Sequence, residues 1–188
     1  MVKTQDSLAE LKSYYQNHEE KILESYFTFL KFKSISTDPS YKDELLNCCH
    51  WLKNYISDIG FETELWEGEG YPIIFAENLK AGPDKPTLLL YHHYDVQPVD
   101  PEEDWESAPF TPTVRDGKVF ARGAQDNKGQ CFYSVSALKA YIDLFKDFPI
   151  NIKLCIEGEE EVGSPFLFKK LKEKKEKLKA EHLAIVDT

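Results

Sequence analysis

The chain has 188 residues, enough for one sizeable core and short for two full domains. Its composition, 41% hydrophobic and 30% charged, is ordinary for a globular protein, and its formal charge of −10 disfavours a nucleic-acid backbone or an anionic membrane surface as partner, since both would repel it. No segment joins a charged start to an apolar signal core and no apolar run approaches the ~20 residues of a membrane span, so an intracellular, cytoplasmic protein is expected.

Apolar residues recur at helical spacing from residue 7 to residue 32 (Leu8, Leu11, Tyr15, Ile22, Tyr26, Phe29, Leu30), which predicts one long helix or two abutting ones, broken at Ser36-Thr37-Asp38-Pro39. A second helix is expected from near Ser40 through Leu45, Cys49, Leu52 and Ile56, with Gly60 as its left-handed cap. Phe61 to Trp66 and Ile73 to Leu79 read as short strands, and Ala81-Gly82-Pro83-Asp84 as a turn. Thr87 to Tyr91 is nearly unbroken apolar sequence, as in a strand covered on both faces. The following stretch is rich in Pro and acid around Trp105 and Phe110, and Thr113 to Ala121 predicts a hairpin turning at Asp116-Gly117.

Helical periodicity returns from Lys128 to Phe145, with Asp126 just ahead where an N-cap carboxylate would sit. Ile150 to Ile156 is a further strand, Ser164-Pro165 opens another helix, and Leu183 to Val186 is a last strand. The Lys-rich run from Lys169 to Lys179, interrupted by Glu173 and Glu176, reads as a solvated helix face. Cys48, Cys49, Cys131 and Cys155 lack the paired spacing of a zinc knuckle and are expected to be reduced, Cys48-Cys49 as core packing. Strands alternating with helices place the chain in the α/β class, with a mixed, largely parallel central sheet flanked by helices.

The chemistry-bearing residues stand just past the strands. His93 and Asp95 follow the strand that ends at Tyr91; two residues apart, they can share a face, the arrangement of a metal-binding imidazole and the carboxylate that orients it. His92 competes for the ligand role, and the spacing to Asp95 favours His93. Asp126 lies in Arg122-Gly123-Ala124-Gln125-Asp126-Asn127-Lys128-Gly129, the acidic knot Glu157-Gly158-Glu159-Glu160-Glu161 follows the next strand, and Asp187 follows the last. Any one of these is ordinary surface acid; together, each timed to a strand end, they predict convergence on one crevice. Carboxylates gathered in that way need cations to neutralise them.

The chain resembles the dinuclear zinc exopeptidases and amidohydrolases, the family of carnosinase, cytosolic dipeptidases, aminoacylase, carboxypeptidase G and succinyl-diaminopimelate desuccinylase. The matching motifs are His93-Tyr94-Asp95-Val96-Gln97-Pro98, Trp105 with Pro109-Phe110, Arg122 to Gly129, and Glu157 to Ser164. The resemblance implies two divalent cations, most simply Zn²⁺ with Mn²⁺ or Co²⁺ as substitutes. His93 would bind one and Asp126 bridge both, with Asp187 as a further ligand to the His93 metal and Glu161 on the other metal or its bridge-side neighbour. Asp95 would orient His93 and Glu160 would be the general base. An Asp at position 187 tilts the reading toward a dipeptidase acting on dipeptides or short peptides; an N-acyl amino acid amidohydrolase and a non-catalytic binding module are the alternatives.

Three positions depart from the family pattern: His92 for a usual Gly, Ala121 for a Gly, and Asn127 for a common Asp. None of His18, His50 or His182 stands where the family supplies the last histidine of the second metal. The 188 residues are therefore expected to be the N-terminal portion of a catalytic domain. The inserted dimerisation domain and the C-terminal part of that domain would lie outside them, and this portion alone is expected to hold the second metal poorly and to have little peptidase activity.

Overall fold

A computed structural model describes residues 4–188. A single helix, α1, spans Thr4–Lys31, so the opening periodicity belongs to one element rather than two. After the break, Asp38 Oδ1 accepts from the Ser40 amide at 2.9 Å and starts a 3₁₀ turn at Pro39–Tyr41 that runs straight into α2, Lys42–Asp58. Gly60 follows with φ +101°, a conformation that glycine adopts without a Cβ clash. Strands β1 (Glu62–Trp66), β2 (Ile73–Asn78) and β3 (Thr87–His93) come next, then the hairpin of β4 (Thr113–Arg115) and β5 (Lys118–Phe120). Asp116 and Gly117 both have positive φ at its tip, as a two-residue hairpin turn requires. Helix α3 (Lys128–Phe145), β6 (Asn151–Glu157), α4 (Pro165–Glu173) and β7 (His182–Ile185) complete the chain.

The main sheet has the order β1-β2-β6-β3-β7. Strand β2 is antiparallel to both its neighbours, whereas β3 is parallel to β6 on one side and β7 on the other, so every strand but β2 runs the same way. The expected mixed, largely parallel α/β sheet is therefore the observed one. On one face Phe29, Leu45, Leu52, Phe132 and Val135 from α1, α2 and α3 pack against Ile74, Leu90, Leu154 and Ile156. On the other, Phe166 and Leu167 of α4 cover Trp66, Ile73, Phe75 and Cys155. All four thiols are unpaired and buried. Among the described residues no helix is long and apolar enough to cross a membrane.

Two local expectations are corrected. The N-cap of α3 is Asn127 rather than Asp126, and it makes no side-chain cap bond, because Asp126 is turned toward the strand ends and Asn127 toward β3 and β7. The lysine run is helical only as far as Glu173; beyond it the chain turns, and the buried Lys153 donates to the Lys177 and Lys179 carbonyls at 2.6 and 2.8 Å.

A second buried lysine fixes the helix that carries Asp126. Lys128, fully enclosed, donates through Nζ to the Phe29 and Phe32 carbonyls at 3.1 and 2.7 Å, which ties the first turn of α3 to the last turn of α1 and the residue just after it. A cation is favoured at that helix end by the macrodipole, which offsets part of its desolvation.

Gly158, between β6 and the acidic turn, is required by a close approach: a Cβ there would run into the ring of Tyr94, which is wholly buried and donates to the Pro72 carbonyl at 2.7 Å. Gly158→Ala is expected to lower the stability of the metal-free chain by about 1–3 kcal/mol, the usual cost of overpacking, read from the midpoint of urea unfolding.

Candidate metal centre

Because β3, β6 and β7 run in parallel, their carboxyl ends open on the same side, and the residues just past them meet there. His93 ends β3, fully buried, with its Nε2 facing three carboxylates. Asp126 Oδ1 is 3.1 Å away, Asp187 Oδ2 3.6 Å and Glu160 Oε2 3.7 Å. One ligand atom each from His93, Asp126 and Asp187 lies within 4.8 Å of the others. Donor atoms around a tetrahedral zinc with bonds near 2.0–2.1 Å stand about 3.3 Å apart, so this spacing fits a cation held between them. The imidazole favours a transition metal or zinc over Ca²⁺ or Mg²⁺.

The opposite ring nitrogen settles which histidine faces the carboxylates. His93 Nδ1 lies 3.2 Å from Asp95 Oδ1 and 3.1 Å from the Asp95 carbonyl, so a proton on Nδ1 is bonded and Nε2 is left as the ligand atom. His92 points to the other face of the strand, where burial pushes it down to about 4 and its Nδ1 meets Asn127 Oδ1 at 3.2 Å. It is neutral, and Asn127 stands between it and Asp187.

Asp95 is itself fully buried, and both its oxygens are shared. Oδ1 accepts from the Glu160 amide at 3.2 Å as well as facing His93; Oδ2 accepts from the Glu161 amide at 3.1 Å and from the Ser36 hydroxyl at 2.6 Å. The same carboxylate therefore orients the imidazole and pins the 3₁₀ turn, Glu160–Val162, that bears Glu160. Burial first, then the charges of Asp187, Asp95 and Asp126, raise the Glu160 carboxyl above its usual range, with His93 opposing. A carboxylate tuned upward is better matched to taking a proton near neutral pH.

The members of the acidic knot have different surroundings, and only the Glu160 carboxylate is in contact with the His93 imidazole. Glu157 Oε1 accepts from Tyr91 Oη and Ser164 Oγ, both at 2.7 Å, beneath the turn. Glu159 accepts from the amides of Tyr71 and Phe166, each at 3.3 Å, and fastens the turn to β2's approach and to α4. Glu161 is not among the three residues that share the 4.8 Å cluster; its Oε2 takes the Gln97 side-chain amide at 2.7 Å, and its carboxyl is raised by burial and by the neighbouring Asp126 charge.

Asn127 is the residue that motif reading undervalued. Its Nδ2 donates to the Val186 carbonyl at 2.8 Å and to Asp187 Oδ1 at 2.9 Å, while its Oδ1 accepts from the His93 amide at 3.3 Å. An Asp in its place could not donate to Asp187. The peptide joining Asp126 to Asn127 is cis.

Comparison with known proteins adds family context. Residues 89–187 match the model of Peptidase family M20/M25/M40. The chain is 34% identical over 167 residues to a Cys-Gly metallodipeptidase of Schizosaccharomyces pombe, covering 82% of this chain and 35% of that protein. It is 37% identical over 117 residues to a succinyl-diaminopimelate desuccinylase of Nitrosomonas eutropha, covering 61% of this chain and 29% of the relative. The crystal structure of human carnosine dipeptidase 1 superposes with a TM-score of 0.88 at 29% identity, over 96% of this chain and 41% of that one. The chain thus spans about a third of the length of the curated relatives it matches.

Burial alone would pull the His93 imidazolium down, but the Asp95 hydrogen bond and the charges of Asp95, Asp187 and Glu160 outweigh it and push it up to about 9. In the metal-free protein Nε2 is therefore protonated at neutral pH, and a cation has to displace that proton. Zinc affinity is expected to rise roughly tenfold per pH unit from about 7 toward 9 and then level off, with about one proton released per zinc bound at neutral pH; competition against a chelator and pH-stat titration measure the two.

Proposed function

The chain belongs to Peptidase family M20/M25/M40, and from that premise we propose that it carries the cation-binding part of a hydrolase that cleaves dipeptides or short peptides. The observation that supports this most is the gathering of His93, Asp126 and Asp187 around one space, with Glu160 at its edge and the buried Asp95 behind it. His93 and Asp187 would hold one divalent cation, Asp126 would bridge to a second, and Glu161 would serve that second position after releasing Gln97. Zinc is the expected ion. Two such cations, when bound, would lower the pKa of water and polarise the scissile carbonyl.

The residues present divide the remaining work. Asp95 keeps the His93 proton on Nδ1 and holds the Glu160 backbone. Glu160, 3.7 Å from His93 Nε2, accepts a proton from the attacking water and returns it to the leaving amine. Asn127 holds Asp187 in place from the start of α3. The similarity to a desuccinylase favours a second reading, an N-acyl amino acid amidohydrolase, which would use the same groups on a different acyl substrate.

We further propose that these residues are the N-terminal portion of a longer catalytic domain, whose inserted domain would mediate homodimerisation. The short span relative to the matched proteins supports this, and so does an uncovered sheet face. Ala184 joins the main core, so Leu183 and Ile185 project from the other side of β7, where they are 59% and 63% exposed. They lie beside Leu89 and Tyr91 of β3, and β7 is the edge of the sheet. An apolar edge left open in this way calls for a covering element.

In the complete protein, loaded with zinc, Glu160→Gln is expected to reduce dipeptide hydrolysis by about 10²–10⁴-fold while bound zinc stays at its wild-type level. Unchanged turnover would remove Glu160 from its role, and faster hydrolysis of an N-acetyl or N-succinyl amino acid than of any dipeptide would favour the second reading. Leu183→Lys combined with Ile185→Lys is expected to leave the unfolding midpoint of the 188-residue chain within a few degrees of wild type, yet to destabilise the complete protein by about 2 kcal/mol or more, seen in its unfolding midpoint.

A further inference from the structure

The short break between α1 and α2 does more than end a helix. Residues Ser34 to Ser36 lie alongside Tyr94 to Val96, joined by a single parallel bridge between Ile35 and Val96. Ser34 Oγ donates to the Tyr94 carbonyl at 2.6 Å, the Val96 amide donates to the Ser34 carbonyl at 2.9 Å, and the Ile35 side chain is buried. This strap is bonded to the segment that carries Asp95 on both sides of that residue, at Tyr94 and at Val96. Its last residue, Ser36, reaches the Asp95 carboxylate itself through Oγ–Oδ2 at 2.6 Å.

We propose that Ser36 is a positioning residue of the metal centre, acting through Asp95. The carboxylate torsion of an aspartate is broad and roughly two-fold, so packing alone does not sort its oxygens. Here they are sorted: Oδ1 serves His93 Nδ1 and the Glu160 amide, and Oδ2 serves the Glu161 amide and Ser36. The hydroxyl is the one donor of the four that comes from neither β3 nor the acidic turn. It therefore fixes the carboxylate against a third part of the fold, so that the imidazole and the turn bearing Glu160 are held in one relative orientation. Without it the two groups that share Asp95 can trade its oxygens, and both Nε2 and Glu160 lose their aim.

This inference rests on the proposed reading of the site as a cation centre, and the experiment separates the two. Zinc alone is titrated against a competing chelator into wild type, Ser36→Ala, Ser36→Thr and the exposed neighbour Thr37→Ala, and amide hydrogen exchange is followed in the same proteins free of metal. Ser36→Ala is expected to weaken zinc binding about tenfold and to speed exchange at the Glu160 and Glu161 amides, with the unfolding midpoint within a few degrees of wild type. Ser36→Thr, which keeps the hydroxyl, and Thr37→Ala are expected to match wild type. Wild-type zinc affinity and exchange in Ser36→Ala would overturn the proposal, as would faster exchange spread evenly over the sheet. A wild-type chain that binds no zinc would instead overturn the cation reading, while the exchange comparison, which needs no metal, still decides whether Ser36 holds the turn.

Discussion

The constraint on which the site depends is a buried carboxylate that, among the described residues, forms an ion pair only with the titratable His93. Asp95 is enclosed completely, and an anion in that position is tolerable only if its lone pairs are met by donors. The donors come from three places: the imidazole of His93, the two amides of the turn after β6, and the hydroxyl of the α1–α2 connection. Satisfying one side chain thus brings together segments that are 65 or more residues apart in sequence in the case of the turn, and 59 apart in the case of Ser36. The burial of Asp95 and the placement of His93 and the turn bearing Glu160 therefore depend on the same hydrogen bonds.

A second electrostatic problem lies on the other side of His93. Three carboxylates face its Nε2, and the metal-free protein meets their repulsion by holding a proton there. A divalent cation answers the same demand more completely, so metal binding and stability are coupled: whatever binds only the folded arrangement stabilises it by mass action. The linkage sign follows from the raised His93 value. Its protonated form contributes stability that is present in full below its unfolded value near 6.5 and is lost as pH rises through about 9, which is where a cation binds most freely.

The parts of this arrangement that were legible in the sequence are those with a local signature. His93 and Asp95 share a strand face by alternation, α3 announces itself by period and starts at Lys128 as expected, and the hairpin at Asp116-Gly117 follows from turn chemistry. Of the residues on which the resemblance to a metallohydrolase family rested, His93, Asp126 and Asp187 lie together, with Glu160 beside His93, while Glu161 is bonded to Gln97. What was not legible depends on partners distant in sequence. Ser36 looked like a helix break, Asn127 like a departure from the pattern, and Lys128 only like the start of a helix, because their partners are Asp95, Asp187 and the Phe29 and Phe32 carbonyls. The four acids of the knot look alike in sequence, yet Glu157 and Glu159 are bound to hydroxyls and amides, Glu160 faces His93 and Glu161 holds the Gln97 amide; their different surroundings arise from the tight turn after Gly158.

The four carboxylates and the imidazole are not equally secured. His93 sits on β3, flanked on both sides by parallel strands, and Glu160 hangs from Asp95. Asp187 follows β7, an edge strand joined to β3 over Leu88 to Tyr91 only, and the ladder stops short of it. Its position comes instead from the Asn127 amide, which grips Val186 and Asp187 from the start of α3. Because Lys128, the next residue, ties that same turn to α1, the placement of Asp187 is referred back through two side chains to the first helix of the chain. A carboxylate at position 127 would set a second negative charge beside Asp187 with no amide proton to hold it, whereas Asn127 arranges Asp187 by a hydrogen bond alone.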